Sequence, residues 1–190
     1  MQPRRDALRR GAPLALAIFF AGAGAPRRAH AEAQLTTGLT TGVAVTDLRG
    51  AGGAGVTGHL GGRGELLFGR SSPRTMGVGP DVEALTVGFK TFEGGGGLAW
   101  MFPAWSTGFV LSGGAFARTS ALGFEPGAAA TLFWGSRSFN HHGLYALGVG
   151  LFAQGRYGLG DSKQADALFG VQLDLQYLAL PFLWAAAALR

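Results

Sequence analysis

Residues Val171-Gln-Leu-Asp-Leu-Gln-Tyr177 alternate strictly between apolar and polar side chains. A period of two is the signature of an extended strand, which sends successive side chains to opposite faces. The same period recurs along most of the chain. Leu35, Leu39, Val43 and Val45 share one parity, and Thr36, Gly38, Thr40, Gly42 and Thr46 take the other. Val56, Leu60, Leu66 and Phe68 are interleaved with Thr57, His59, Arg63 and Glu65. Leu85, Val87 and Phe89 alternate with Thr86, Gly88 and Lys90, and Phe109, Leu111, Ala115 and Ala117 with Ser112, Gly114 and Arg118. Phe124, Ala128, Ala130, Leu132 and Trp134 oppose Glu125, Gly127 and Thr131. Tyr145, Leu147, Val149 and Leu151 oppose Ala146, Gly148 and Gly150, a face that Gln154 and Arg156 continue.

With a weaker strand near 97–103, eight strands are predicted. Between them lie stretches rich in turn formers: Asp47–Gly53, Arg70–Pro80, Glu93–Gly96, Pro103–Thr107, Thr119–Gly123, Gly135–His142 and Tyr157–Asp166. The uncharged run Gly94–Ala117 does not read as a transmembrane helix, because it opens on a glycine cluster and contains Pro103 and a central Ser-Thr-Gly. Strands near the ~9–11 residues that cross a bilayer at a tilt fit a transmembrane barrel.

The first thirty-one residues stand apart. Arg4, Arg5, Arg9 and Arg10 precede an uncharged stretch, Gly11 to Pro26, and Ala29-His30-Ala31 offers small residues where a signal peptidase reads. Residues 1–31 are expected to be a secretory signal cleaved before Glu32, leaving residues 32–190 as one β-barrel domain. Arg4-Arg5-Asp6-Ala7-Leu8-Arg9 also resembles a twin-arginine signal, so the general secretory and twin-arginine routes both stay open.

Composition enters through charge. The chain carries 16 Lys+Arg and 11 Asp+Glu, but residues 1–31 hold six arginines and only Asp6. The remainder has 10 basic and 10 acidic residues, with no excess positive charge to neutralise phosphates, so nucleic acid is not an expected partner. Cysteine is absent, which excludes disulfides, thiolate metal sites and an acylated cysteine anchor. Only 14% of residues are charged, against about 25% in a typical soluble domain. Few charges, 34 glycines and many aromatics suit a wall facing lipid around a packed polar lumen.

The pattern resembles the small eight-stranded outer-membrane barrels, the class that includes the transmembrane domain of outer-membrane protein A. The resemblance covers Leu35 to about Leu180 and rests on alternation and length, not on a specific motif. It implies an all-β, antiparallel up-and-down barrel in the bacterial outer membrane, inserted by the barrel-insertion machinery, in contact with outer-membrane lipid and monomeric. Such barrels commonly end on a strand with a terminal aromatic residue, whereas here the chain continues through Pro181 to Arg190. Either Val171–Leu180 closes the barrel ahead of a short tail, or the tail is itself a strand.

If the apolar parity faces lipid, the lumen receives Thr57, His59, Arg63, Glu65, Lys90, Arg118, Glu125, Gln154, Arg156, Gln172, Asp174 and Gln176. Arg63, Glu65, Lys90, Arg118, Glu125, Arg156 and Asp174 are its charged members, and they should pair, since an unpaired ion in a closed lumen is costly. An eight-stranded barrel is just wide enough for side chains to fill, which predicts a plug and not a pore. Trp100, Trp105, Trp134, Tyr145 and Tyr177 are candidates for interfacial aromatic girdles. The inverse arrangement, a soluble lipocalin-like barrel with an apolar interior and ligand, obeys the same alternation. Against it, the non-apolar face is mostly Gly, Ala and Thr, with little of the Lys and Glu of a water-facing surface.

Motifs for chemistry are weak. Gly50-Ala-Gly-Gly-Ala-Gly55 matches a dinucleotide fingerprint by letter but lacks a following helix and a βαβ unit. Ser138, His141 or His142 and Glu125 are the residue types of a hydrolase site, with nothing in their spacing to bring them together. Adjacent histidines on a strand point to opposite faces, and no third metal ligand is visible. The expectation is a barrel with no catalytic centre, metal or cofactor and a structural or surface-interaction role, with a membrane-embedded lipid-modifying hydrolase or a lipocalin-like binder as alternatives.

Overall fold

The computed structural model describes residues 32–50, 53–120 and 123–188, so the expected signal segment lies outside the described residues. Eight antiparallel strands follow one another in sequence and close into a barrel: β1 Glu32–Thr46, β2 Gly55–Arg70, β3 Gly77–Val87, β4 Thr91–Ala104, β5 Thr107–Ser120, β6 Gly123–Arg137, β7 Gly148–Gly158 and β8 Ala165–Asp174. Closure runs through β1 and β8, from Gly38 opposite Asp174 to Val45 opposite Ala167. One helix, α1 (Leu175–Ala188), follows β8. The end of the barrel at which β1 begins and β8 finishes is the terminal mouth, which carries the links 71–76, 105–106 and 138–147; the other end is the distal mouth.

The alternation sorts the side chains. Along β1 and β8 the even-numbered residues Gln34, Thr36, Leu168, Gln172 and Asp174 are buried inside, while Val43, Phe169 and Val171 stand on the outer wall. In β2, His59, Arg63 and Glu65 point inward and Val56, Leu60 and Phe68 outward. A bulge near the end of β2 then re-aims the chain: Glu32 pairs with Arg70 but Gln34 with Leu67, and Gly69 adopts φ 82°. The extra residue lets both Leu67 and Arg70 face the lumen, and a positive φ is a conformation that glycine takes without steric cost.

Three sequence expectations are corrected here. The first concerns β3, which begins at Gly77 within the expected turn Arg70–Pro80 and has inverted parity: Leu85 and Val87 are buried in the lumen. Asp81 faces inward in register with them, and the chain reverses immediately afterwards at Gly88 (φ 59°) and Phe89 (φ 56°), a pair of left-handed residues as in a tight hairpin turn. Lys90 therefore lies exposed in that turn and is not a lumen residue.

The second concerns Glu93–Gly96, expected as a turn, which lies within the first half of a strand continuous from Thr91 to Ala104. The glycines are there for space. A side chain on Gly95 would meet the backbone of Ala115 and the side chain of Phe116, and one on Gly97 the carbonyl oxygen of Gly113. The third correction is at the end of the barrel. The closing strand stops at Asp174, and the tail is neither an extension of that strand nor another strand but the helix α1, so Gln176 is exposed and outside the lumen.

An ion-paired lumen as the candidate functional site

Two layers of charge cross the barrel. In the distal layer, Arg118 on β5 and Arg156 on β7 are tied together by Glu93 on β4, whose Oε1 lies 3.3 Å from Arg118 Nε while Oε2 pairs with Arg156 Nη1. Arg118 Nη2 reaches Asp166 Oδ2 of β8 at 2.7 Å and Nη1 lies 3.9 Å from Glu125 Oε2 of β6. Arg156 Nη2 donates to Glu83 Oε1 of β3 at 2.6 Å, and Gln154 Nε2 donates to both oxygens of the same carboxylate. Phe116 sits between the two guanidinium groups, 5.1 Å and 5.2 Å from its ring centre, a favourable placement of cations over an aromatic face.

The layer nearer the terminal mouth is built around Arg63. Its Nε pairs with Glu65 Oε1 and its Nη2 with Asp81 Oδ2, both at 3.0 Å, and Nη2 also donates to Ser112 Oγ of β5. Arg137 on β6 pairs with the other oxygen of Glu65 at 2.9 Å and lies over the ring of Phe133 at 4.2 Å. Arg70 donates to the Ser138 carbonyl at 3.3 Å and faces the ring of Phe139.

Strand order gives these contacts their meaning. In an eight-stranded ring, β2 and β6 are diametrically opposite, as are β3 and β7. Arg137–Glu65 and Arg156–Glu83 therefore span the full width of the lumen. Arg63–Ser112 and Arg118–Asp166 span chords of three strands. The charged side chains brace opposite walls, and each arginine of these struts is 8% exposed or less. Apolar side chains share the lumen with them: Leu85, Val87, Phe133, Phe152 and Leu168 belong to the buried cluster, with His59 meeting Phe152 edge-on at 5.5 Å.

The terminal mouth is plugged by the β6–β7 link. Gln34 of β1 accepts from the Asn140 N–H at 3.0 Å and donates to the Asn140 and Gly143 carbonyls. Tyr145 Oη donates to Asp174 Oδ1 at 2.7 Å and shares a 2.7 Å hydrogen bond with Thr37 Oγ1. Burial, more than the Asp174 carboxylate beside it, pushes the Tyr145 phenol from 10.0 up to about 12. Asp174 also accepts from the Gly148 N–H at 3.1 Å and the Gln176 N–H at 2.8 Å, the second bond capping the first turn of α1.

Of the charged residues expected in the lumen, Arg63, Glu65, Arg118, Glu125, Arg156 and Asp174 are all buried there, in two layers and the plug. Lys90 alone is not. Asp81, Glu83, Glu93, Arg137, Asp166 and Arg70 join the networks without having been expected. Asp166 and Arg137 extend the inward parity of β8 and β6 by a few residues into stretches read as turns, so the period itself could have found them. Arg70 follows the β2 bulge, which no simple period reveals.

The hydrolase residues are not assembled. Ser138 Oγ accepts from the Leu147 N–H at 2.7 Å, His141 packs against Phe139, and Glu125 lies toward the distal mouth, where Ser162 Oγ donates to it at 2.5 Å. Among the described residues no group of three His, Cys, Asp or Glu is placed to hold a metal ion.

The outer wall is the reverse of the lumen. Val82, Leu98 and Phe124 are 62%, 65% and 73% exposed. Most exposed aromatics of the wall stand at two levels, Phe92 and Phe124 toward the distal mouth and Phe68, Trp100, Phe109 and Trp134 toward the terminal one, while Phe169 lies midway along β8. Trp100 stacks on Phe102 at 5.1 Å and Phe109 on Trp134 at 6.4 Å. Tyr145 belongs to neither level, being turned to the plug. No family model matches the chain, and neither a curated protein nor a solved structure shows significant similarity to it.

Proposed function

We propose that this chain is a bacterial outer-membrane β-barrel, monomeric and braced shut, with a structural or surface-interaction role and no catalytic centre. One observation carries the reading: charge is buried inside and large apolar side chains are exposed outside. In water such a wall would leave extensive apolar area hydrated, while a lipid environment turns the same area into the favourable one. The two aromatic levels support it. Phe92 and Trp100 are eight residues apart on β4, ~26 Å along a strand at ~3.3 Å per residue and about 20 Å in height after the usual tilt. That is close to the ~25 Å apolar band between the aromatic girdles of membrane barrels.

A lipocalin-like binder requires the opposite sorting, an apolar cavity inside a hydrated wall. The cross-lumen struts argue equally against a conducting pore. Outer-membrane lipid and the barrel-insertion machinery are the partners that this reading implies, with residues 1–31 as the export signal.

Fractionation of expressing cells tests it, with the membrane fraction run on gels before and after boiling. Recovery with the outer membrane and a heat-dependent mobility shift is the expected result. Recovery as a soluble periplasmic protein would overturn the reading.

A further inference from the structure

Helix α1 is at odds with an aqueous setting. Leu175–Ala188 contains no Asp, Glu, Lys or Arg, and Gln176 is its most polar side chain. A helix on a protein surface has one apolar stripe, and a helix apolar on all sides is covered all round. The barrel does not provide that cover: Leu175, Tyr177, Leu178, Leu180 and Trp184 are exposed, Trp184 by 75%. At roughly 100° per residue these five positions are spread around the whole circumference.

The start of the helix is fixed. Its first turn is capped by Asp174, which is held by Tyr145 and the Gly148 N–H, so α1 departs from the terminal mouth. It follows directly on the outward-facing Phe169 and Val171 of β8, and at the same mouth stand Trp100 and Trp134. The apolar exterior of the barrel thus runs on into the helix, because Asp174, the charged residue between them, is turned inward and fully buried. At ~1.5 Å per residue, α1 is about 21 Å long, too short for the ~30 Å hydrocarbon core.

We propose that α1 is a membrane anchor lying within the lipid leaflet at the terminal mouth, with lipid acyl chains and the headgroup boundary as its occupant. The proposal rests on the lipid-facing reading of the barrel wall and adds a second, non-strand attachment to it. Continuity with the wall selects lipid over a soluble protein, which would have to meet the helix already exposed to water. Tyr177 and Trp184 carry the amphipathic rings that favour the boundary between acyl chains and headgroups.

Two full-length variants test it, each with one tryptophan. W100F/W105F/W134F keeps Trp184 and W100F/W105F/W184F keeps Trp134. Both are refolded into phosphatidylcholine vesicles with or without bromine on the acyl chains. Trp184 should show blue-shifted emission and lose roughly half of it to bromine, as burial about 5–10 Å below the surface requires. Trp134 should be quenched as well. A quenched Trp134 beside an unquenched, water-like Trp184 would overturn the anchor and leave the barrel reading standing. If neither is quenched, the lipid-facing wall fails and the anchor fails with it. A blue-shifted but unquenched Trp184 in a particle of twice the protein mass would mean that a second copy covers the helix, which also overturns the proposal.

Discussion

Tyr145 donates its phenolic hydrogen to Asp174 across 2.7 Å, joining the β6–β7 link to the last residue of the closing strand. Three functions meet at that carboxylate: it pins the plug, it fixes Gly148 at the start of β7, and it caps α1. In the folded protein the phenol ionises only near 12, raised from 10.0 chiefly by burial, while in the unfolded chain it ionises near the ordinary value. A raised phenol pKa means that the neutral form is favoured by folding. Its contribution is complete below about pH 10 and is lost as pH climbs toward 12. In a variant with Tyr157 and Tyr177 replaced by phenylalanine, the phenolate absorbance of Tyr145 should have its midpoint near 12. A midpoint at the ordinary tyrosine value would mean that the residue is not held in the plug. Tyr145→Phe should cost about 1.5–3 kcal/mol in urea unfolding, the scale of a hydrogen bond to a charged group.

Glu93 and Glu125 both face Arg118, but only Glu93 also binds Arg156. Removing a partner from a buried pair leaves an uncompensated ion and costs about 3–5 kcal/mol, whereas a contact beyond hydrogen-bond reach costs less to lose when the ion keeps its closer partners, as Arg118 keeps Glu93 and Asp166. Glu93→Gln should therefore destabilise the barrel severely. Glu125→Gln, whose carboxylate stands 3.9 Å from Arg118, should be mild. The comparison is of urea midpoints in the same detergent, and equal losses would refute the bridging role of Glu93.

Opposite walls should also be energetically coupled. Glu65→Gln and Arg137→Met each break the strut between β2 and β6, and each leaves charge behind: Arg137 in one case, part of Glu65 in the other. The double variant removes both problems at once. It should recover much of the loss, with a coupling of about 1–3 kcal/mol in a double-mutant cycle. Simple additivity would show that the strut does not form.

The sequence made the inward face of most strands legible because alternation over six or more residues leaves little freedom in assigning it. Arg63, Glu65, Arg118, Glu125, Arg156 and Asp174 were assigned to that face for this reason, and all six are buried. Where the run was short or chemically ambiguous, the reading failed. In β3, Leu85 and Val87 looked like a wall facing lipid, yet both point into the lumen, where Leu85 is in register with Glu93 and Val87 with His59. Hydrophobicity alone cannot distinguish a lipid-facing valine from one packed inside. The glycines beside Glu93 resembled a loop because their role, close approach of β4 to β5, depends on neighbours that are distant in sequence. Val171–Tyr177 was the most regular alternation in the chain, but it spans the end of β8 and the first turn of α1. There Asp174 offers its carboxylate to the Gln176 N–H, and this local capping bond ends the strand where periodicity would continue it.

The outer wall gives the most direct separation of a membrane barrel from a soluble one. Ala130 projects outward midway along β6, while Ser136 projects outward near its terminal end, beyond Trp134. In lipid, an arginine at the first position sits near the bilayer midplane and should cost about 2–4 kcal/mol, and at the second, near the interface, about 0–1 kcal/mol. In water both positions would be ordinary exposed strand sites, and the two substitutions should cost alike. Ala130→Arg and Ser136→Arg should therefore be compared by urea unfolding from phospholipid vesicles. A steep difference marks the depth of the membrane along β6, and indistinguishable stabilities would place the wall in water.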